Sequence, residues 1–313
     1  MDHTATDLML AARDGTKLAA TFFEPAASNG GAILLNSGTG IPRQFYAAFA
    51  GHLAARGFAV LTYDYRGIGG SEKPPEATME AWGGVDQASM IDHLAALAPG
   101  ASRAVIGHSF GGQVLGLADN IADVRAAVLI CTQSGHWRHW PPGRRRLRML
   151  ALWWLLIPGL TALTGRFPGS WIGTANLPSG IARSWARWGR SPHYVCDAEG
   201  GALRPYNDDV ACPLRWLSFT DDPIAPHSAV EALLPYYPNA AIERRHLSPA
   251  ETGADSIGHF GFFRKSMPRA PWDEIADWLG DQMRQTAPPS ELEETTACPN
   301  RTFWPKSKTA SAG

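Results

Sequence analysis

Residues 107–111, Gly-His-Ser-Phe-Gly, set a serine between two glycines where an apolar run ends and a segment of helical pattern begins. A serine hydroxyl is a weak nucleophile near neutral pH. It attacks a carbonyl when a histidine takes its proton and an acid holds that histidine in the right tautomer. Small residues at Gly107 and Gly111 would let the chain turn tightly and lift the Ser109 hydroxyl above the backbone. The same turn would aim the backbone N–H of Phe110 at the oxygen of a carbonyl under attack. Acyl-transfer chemistry at Ser109 is therefore the expectation, and it requires two partners from elsewhere in the chain.

Ten histidines are available as the base. His259, in "SIGHFGFF", lies in a glycine-flanked loop between the last strand-like segment and the closing helix. His246 falls inside a strand pattern, and His52, His93, His136, His139, His193 and His227 read as ordinary surface, helix or cap histidines. His108 reads as the variable residue of the turn. In a sheet of this kind the acid and then the histidine follow the serine, at carboxyl ends of strands. "LSFTDDPIAP" offers Asp221 and Asp222 at such an end, and the arrangement Asp222-Pro223-Ile224-Ala225-Pro226 favours Asp222, with Asp221 a turn residue.

The elements that must hold these groups alternate. "DLMLAA" and "KLAATFFEP" flank an Asp14-Gly15 turn and predict a hairpin over residues 7–25. Strand patterns follow at "GAILLNSGTG", "FAVLTYDYRG", "SRAVIGHS" and "VRAAVLICTQSG". Between them "RQFYAAFAGHLAARG", "VDQASMIDHLAALAPG" and "FGGQVLGLADN" have apolar residues at helical spacing. The alternation predicts a mostly parallel sheet with helices on both faces. It breaks over residues 136–206, which hold seven of the twelve tryptophans and the basic run "RRRLR", and resumes with "PLRWLSFTDD", "PHSAVEALLPYYP", "AAIERRHLSP" and "APWDEIADWLGDQMRQ". Residues 286–313, rich in Pro, Ser, Thr and charge, read as a disordered tail.

Together, "NSGTG", "DYRGIGGS", "GHSFGG", "DDPIAP" and "GHFGFF" make the chain resemble the α/β-hydrolase superfamily, near its serine aminopeptidase-like and lysophospholipase-like bacterial members. The resemblance implies an α/β-hydrolase core over residues 1–135 and 207–285, with residues 136–206 as an inserted helical cap. It implies a Ser109–Asp222–His259 triad and a second oxyanion donor from the loop after the third strand, the backbone N–H of Thr39 or of Gly38. Many relatives carry His-Gly in that loop where this chain has Asn36-Ser37-Gly38-Thr39-Gly40. Asp64, Arg66 and Ser71 of "DYRGIGGS" are expected to be scaffold.

Composition narrows the classes. The 313 residues carry a formal net charge of −1, which gives no general attraction to nucleic acid or anionic lipid, although a local patch would still matter. The four cysteines have no metal-ligand spacing, no phosphate-binding glycine loop is present, and neither metal nor cofactor is expected. No signal peptide is evident and no uncharged stretch reaches the ~20 apolar residues of a membrane span, so a soluble, cytoplasmic protein is expected. The expected reaction is hydrolysis of an ester or thioester of a small, apolar acyl substrate. Transfer to another acceptor, amide cleavage and simple ligand binding are the alternatives; composition leaves the oligomeric state open. The tryptophans predict an apolar pocket. "RRRLRMLALWWLLIPGLTAL" has the pattern of a helix lying at a membrane surface, but Pro158-Gly159 and a cap helix packed on the sheet account for it as well.

Overall fold

Strands that are apolar on both faces need cover on both sides. In the computed structural model, which describes residues 3–171 and 173–284, the opening hairpin pairs β1 (His3–Ala11) with β2 (Lys17–Pro25). It is followed by β3 (Gly31–Asn36), β4 (Ala59–Tyr63), β5 (Ser102–His108) and β6 (Val124–Ile130). Two short strands, β7 (Arg166–Phe167) and β8 (Leu177–Pro178), form a separate hairpin, and β9 (Leu214–Phe219) and β10 (Ile242–Leu247) return to the main sheet. That eight-stranded sheet runs β1-β2-β4-β3-β5-β6-β9-β10. It is antiparallel at β1/β2 and β2/β4 and parallel in every other pair.

The helices are α1 (Ala47–Ala55), α2 (Met79–Ala81), α3 (Ala88–Leu97), α4 (Phe110–Gln113), α5 (Arg144–Ala151), α6 (Ile157–Thr164), α7 (Ser179–Arg190), α8 (His227–Glu231) and α9 (Arg269–Arg284). Period-two alternation assigns each strand residue to a layer. Ile33 and Leu35 of β3 join Phe49 and Leu53 of α1 and Trp272 and Ile275 of α9 in one core. Ala32 and Leu34 join Trp82, Ile91 and Leu94 in the other. Each such large side chain removed from water contributes roughly 1.5–3 kcal/mol.

Three helices differ from the sequence expectation; the first, expected over 226–238, is α-helical only in α8 and is followed by a separate 3₁₀ turn, Leu234–Tyr236. The helix before β5 begins at Met79 and passes through a π-helical turn, Trp82–Gln87, before α3. The segment after Ser109 is helical for only one turn, because its carbonyls are taken by distant side chains. The Tyr237 hydroxyl donates to Gly112 O at 2.6 Å, and Gln87 Nε2 donates to Val114 O and Leu115 O at 3.1 and 3.2 Å. Of the segments singled out in the sequence, residues 286–313 lie outside the described residues, and 136–206 span α5 to α7 with the β7/β8 hairpin.

The "DYRGIGGS" segment ties β4 to its surroundings. The Asp64 carboxylate is buried and accepts from the Arg43 backbone N–H at 2.6 Å, its guanidinium at 2.7 Å and the Gly70 N–H at 3.0 Å. Ser71 donates to Asp64 O, and Arg66 holds Asp86 and Asp14. Replacing Asp64 by Ala leaves the nearly buried Arg43 guanidinium without its main counter-charge. The expected loss is about 3–5 kcal/mol of unfolding free energy in urea titration followed by tryptophan fluorescence; a loss within experimental error would remove this pair from the scaffold.

Candidate active site

The backbone at Ser109 has φ 50° and ψ −112°, a left-handed conformation that a non-glycine residue holds only when its neighbours enforce it. Crowding around it excludes side chains. A Cβ at Gly107 would stand 2.5 Å from Gly112 N, and one at Gly111 would stand 2.3 Å from Asn36 O. The glycines therefore let β5, β3 and α4 approach closely enough to fix the turn. Ser109 is buried at its base and opens into a cavity.

The loops after β9 and β10 meet the serine there. His259 Nε2 lies 2.9 Å from Ser109 Oγ, and His259 Nδ1 lies 2.7 Å from Asp222 Oδ2. The other Asp222 oxygen accepts the N–H groups of Ile224 and Ala225 at 2.7 and 2.9 Å. Burial raises the Asp222 pKa, but the His259 bond and charge and the two amides outweigh it, so the group sits below its ordinary carboxylate range. Asp221 points elsewhere. Its Oδ2 accepts the Ile257 N–H at 2.8 Å and so braces the loop that carries His259. The two adjacent aspartates are thus divided between ring and loop, and Asp222 is the one that reaches the histidine.

His108 does more than fill the variable position of the turn. Its Nε2 lies 2.9 Å from His259 O and its Nδ1 2.8 Å from the Tyr46 hydroxyl. A carbonyl only accepts, so Nε2 carries the proton and Nδ1 accepts from Tyr46. The Tyr46 oxygen in turn accepts the Gly38 N–H at 2.9 Å. One directed chain therefore links the loop after β3 to the backbone of His259. Burial, then the proximity of His259, pushes the His108 pKa down to about 3. Nothing local in the sequence reveals this chain, since its links span 62 and 151 residues.

The cavity has a volume of about 250 Å³. Ser109, His259 and Thr39 line it together with Met149, Leu152, Trp140, Trp153, Trp171, Trp185 and Tyr194. Four of the seven tryptophans of residues 136–206 thus face the serine. Trp188 is instead buried against Phe110. Gln113 and Tyr194 tie the two walls, with the Tyr194 hydroxyl donating to Gln113 Oε1 at 2.8 Å. No carboxylate is among the described lining residues. His108, Cys131 and His259 bring their donor atoms within 4.8 Å of one another. All four ring nitrogens are committed to the bonds above, and burial and then the charge of Asp222 raise the Cys131 thiol pKa well above its usual value. That donor set does not suit a metal.

A family model described as "Serine aminopeptidase, S33" matches residues 27–177. A hypothetical protein from Pseudomonas aeruginosa superposes with a TM-score of 0.62 at 17% identity, over 90% of this chain and 94% of its own. A soluble variant of monoglyceride lipase from Saccharomyces cerevisiae gives 0.62 at 16% identity, over 89% and 96%. A thermophilic esterase from Thermogutta terrifontis gives 0.52 at 23% identity, over 90% and 99%. The chain has the α/β-hydrolase fold, and residues 27–177 are similar to that family model. No curated protein matches it by sequence.

The depressed His108 pKa has a sign that can be measured. Between its folded value of about 3 and the ordinary 6.5, the unfolded chain binds a proton that the folded one refuses. Stability therefore falls as pH drops through that window. In His108→Gln the slope of unfolding free energy against pH, taken between about 4 and 6, is expected to be shallower than in the parent by up to about 1.4 kcal/mol per pH unit. Equal slopes would mean that His108 is not held neutral.

Proposed function

We propose that the protein is a serine hydrolase that cleaves an ester-like bond, a carboxylic ester or thioester, of a small, apolar acyl substrate. The observation that carries this reading is the hydrogen-bonded series Ser109–His259–Asp222 at the floor of an apolar cavity. His259 takes the Ser109 proton as Oγ attacks the carbonyl carbon, and the carbonyl oxygen becomes negative. His259 then gives that proton to the leaving group, and the acyl-serine is hydrolysed when His259 deprotonates a water. Asp222 holds the ring with Nδ1–H towards itself and stabilises the imidazolium.

For the oxyanion, the backbone N–H groups of Phe110 and Thr39 are the proposed donors. Among the described residues neither donates to a protein acceptor, whereas the Gly38 N–H is engaged by Tyr46. Residues 136–206 act in this reading as a cap whose tryptophans and Met149 shape the acyl pocket. Apolar walls with few rotatable bonds hold an acyl chain at low entropic cost. The matched family's description raises cleavage after a free amino terminus as a second reading. The absence of a carboxylate among the described lining residues leaves an ammonium group without a partner and favours the ester.

Intact-mass analysis after treatment with a fluorophosphonate probe should find one adduct on the parent and none on Ser109→Ala. With a p-nitrophenyl ester panel, kcat of Ser109→Ala should fall by about 10³–10⁶, and that of Asp222→Asn by about 10²–10⁴, because Asn favours the wrong tautomer of His259. An unlabelled parent, or a Ser109→Ala variant that keeps most of its esterase activity, would refute the assignment.

A further inference from the structure

The insertion between β6 and β9 concentrates positive charge. Residues 131–196 contain nine arginines and no aspartate or glutamate, in a chain whose formal net charge is −1. Arg187 pairs with Glu80, and Arg146 is spent on the carbonyls of Arg138 and Trp140. Arg144, Arg145 and Arg148, at the start of α5, are exposed and have no carboxylate partner among the described residues.

The same segment concentrates exposed apolar surface. Of the seven large apolar side chains exposed among the described residues, six lie between Leu147 and Trp171. Helices α5 and α6 join through a π-helical turn, Leu152–Leu156, into one helix from Arg144 to Thr164, long and apolar enough by composition to span a membrane. Its inward face is spoken for: Trp153, Ile157 and Thr161, at spacing four, are buried, and Trp153 rests on Gly189 of α7. The opposite face carries Leu147, Leu155 and Leu163, at spacing eight and 63%, 69% and 84% exposed. The helix therefore packs by one face, with Trp153 against α7, and only 22% of its most apolar stretch is buried.

A surface of leucine and tryptophan bordered by unpaired arginines fits one kind of partner, an anionic lipid surface, into which the leucines insert while the guanidinium groups meet headgroup phosphates. We propose that residues 144–171 dock this protein on anionic membrane, with the helix lying in the interfacial plane. Trp171, 59% exposed, lines both this surface and the cavity, so docking sets the cavity's rim against the lipid. The inference stands on charge and exposure and is independent of the chemistry at Ser109.

Co-sedimentation of the full chain with phosphatidylglycerol/phosphatidylcholine vesicles and with pure phosphatidylcholine vesicles tests it. The parent should pellet with the first, weakly with the second, and less as salt is raised. Leu155→Glu/Leu163→Glu changes only exposed positions and should abolish pelleting while its thermal unfolding matches the parent's. Arg144→Gln/Arg145→Gln/Arg148→Gln should weaken binding to the anionic vesicles about a hundredfold. A parent that stays in the supernatant with both vesicles overturns the proposal, and so does unchanged binding by both variants. A dimer seen by light scattering that the leucine variant dissolves, in a parent that ignores vesicles, would assign the face to a second copy of the chain.

Discussion

The left-handed backbone at Ser109 is sustained by how closely β3 approaches the turn after β5. The contact is between Gly111 and the carbonyl of Asn36, and it leaves no room for a single methyl group. Asn36 is held there by its own side chain, which accepts the Tyr63 hydroxyl at 2.8 Å and donates to Gln87 Oε1. Gln87 also takes the carbonyls with which α4 would otherwise have continued. The turn, the end of β3 and the π-helical turn are therefore one packed unit. A buried polar network of this kind fixes one arrangement because each unmade bond inside it is costly.

The sequence carries some parts of this arrangement openly and others not at all. Ser109, Asp222 and His259 are legible because their residue types stand at predicted strand ends in a chain order that a parallel sheet can bring together. The glycines at 107 and 111 are legible because a tight turn requires them. The length of α4 is not, since its end is set by Gln87 and Tyr237, residues far away in the chain. Nor is the role of His108, whose two bonds run to a tyrosine after β3 and to the carbonyl of His259. Periodicity reports which face of an element is apolar. It does not report which distant polar group will be waiting there, and it leaves the helix at 144–164 readable both as packed and as lying at a membrane surface, whereas the fold buries one face and exposes the other.

The tryptophans of the insertion show how one composition serves three surroundings. Trp140, Trp153, Trp171 and Trp185 face the cavity, and Trp188 stacks on Phe110 beneath the turn. Trp137 and Trp154 meet edge to face, each with a guanidinium above its ring. Rings are used in all three places because they offer large apolar area with few torsions to freeze. Counting them predicts an apolar pocket; locating them requires the turns between.

The chain of bonds through His108 and the series at Ser109 also has a bearing on when the site comes into being. Ser109 and His259 are 150 residues apart, and Tyr237, which anchors α4, lies 125 residues from Gly112. Contacts of such separation form late, after the loops between them have been closed. A ribosome-bound chain that has emerged only through β6 contains Ser109 and both glycines, but neither Asp222 nor His259, and α4 lacks its anchor. The Ser109–His259–Asp222 series thus needs the segments that follow β9 and β10, and a chain truncated before them lacks it.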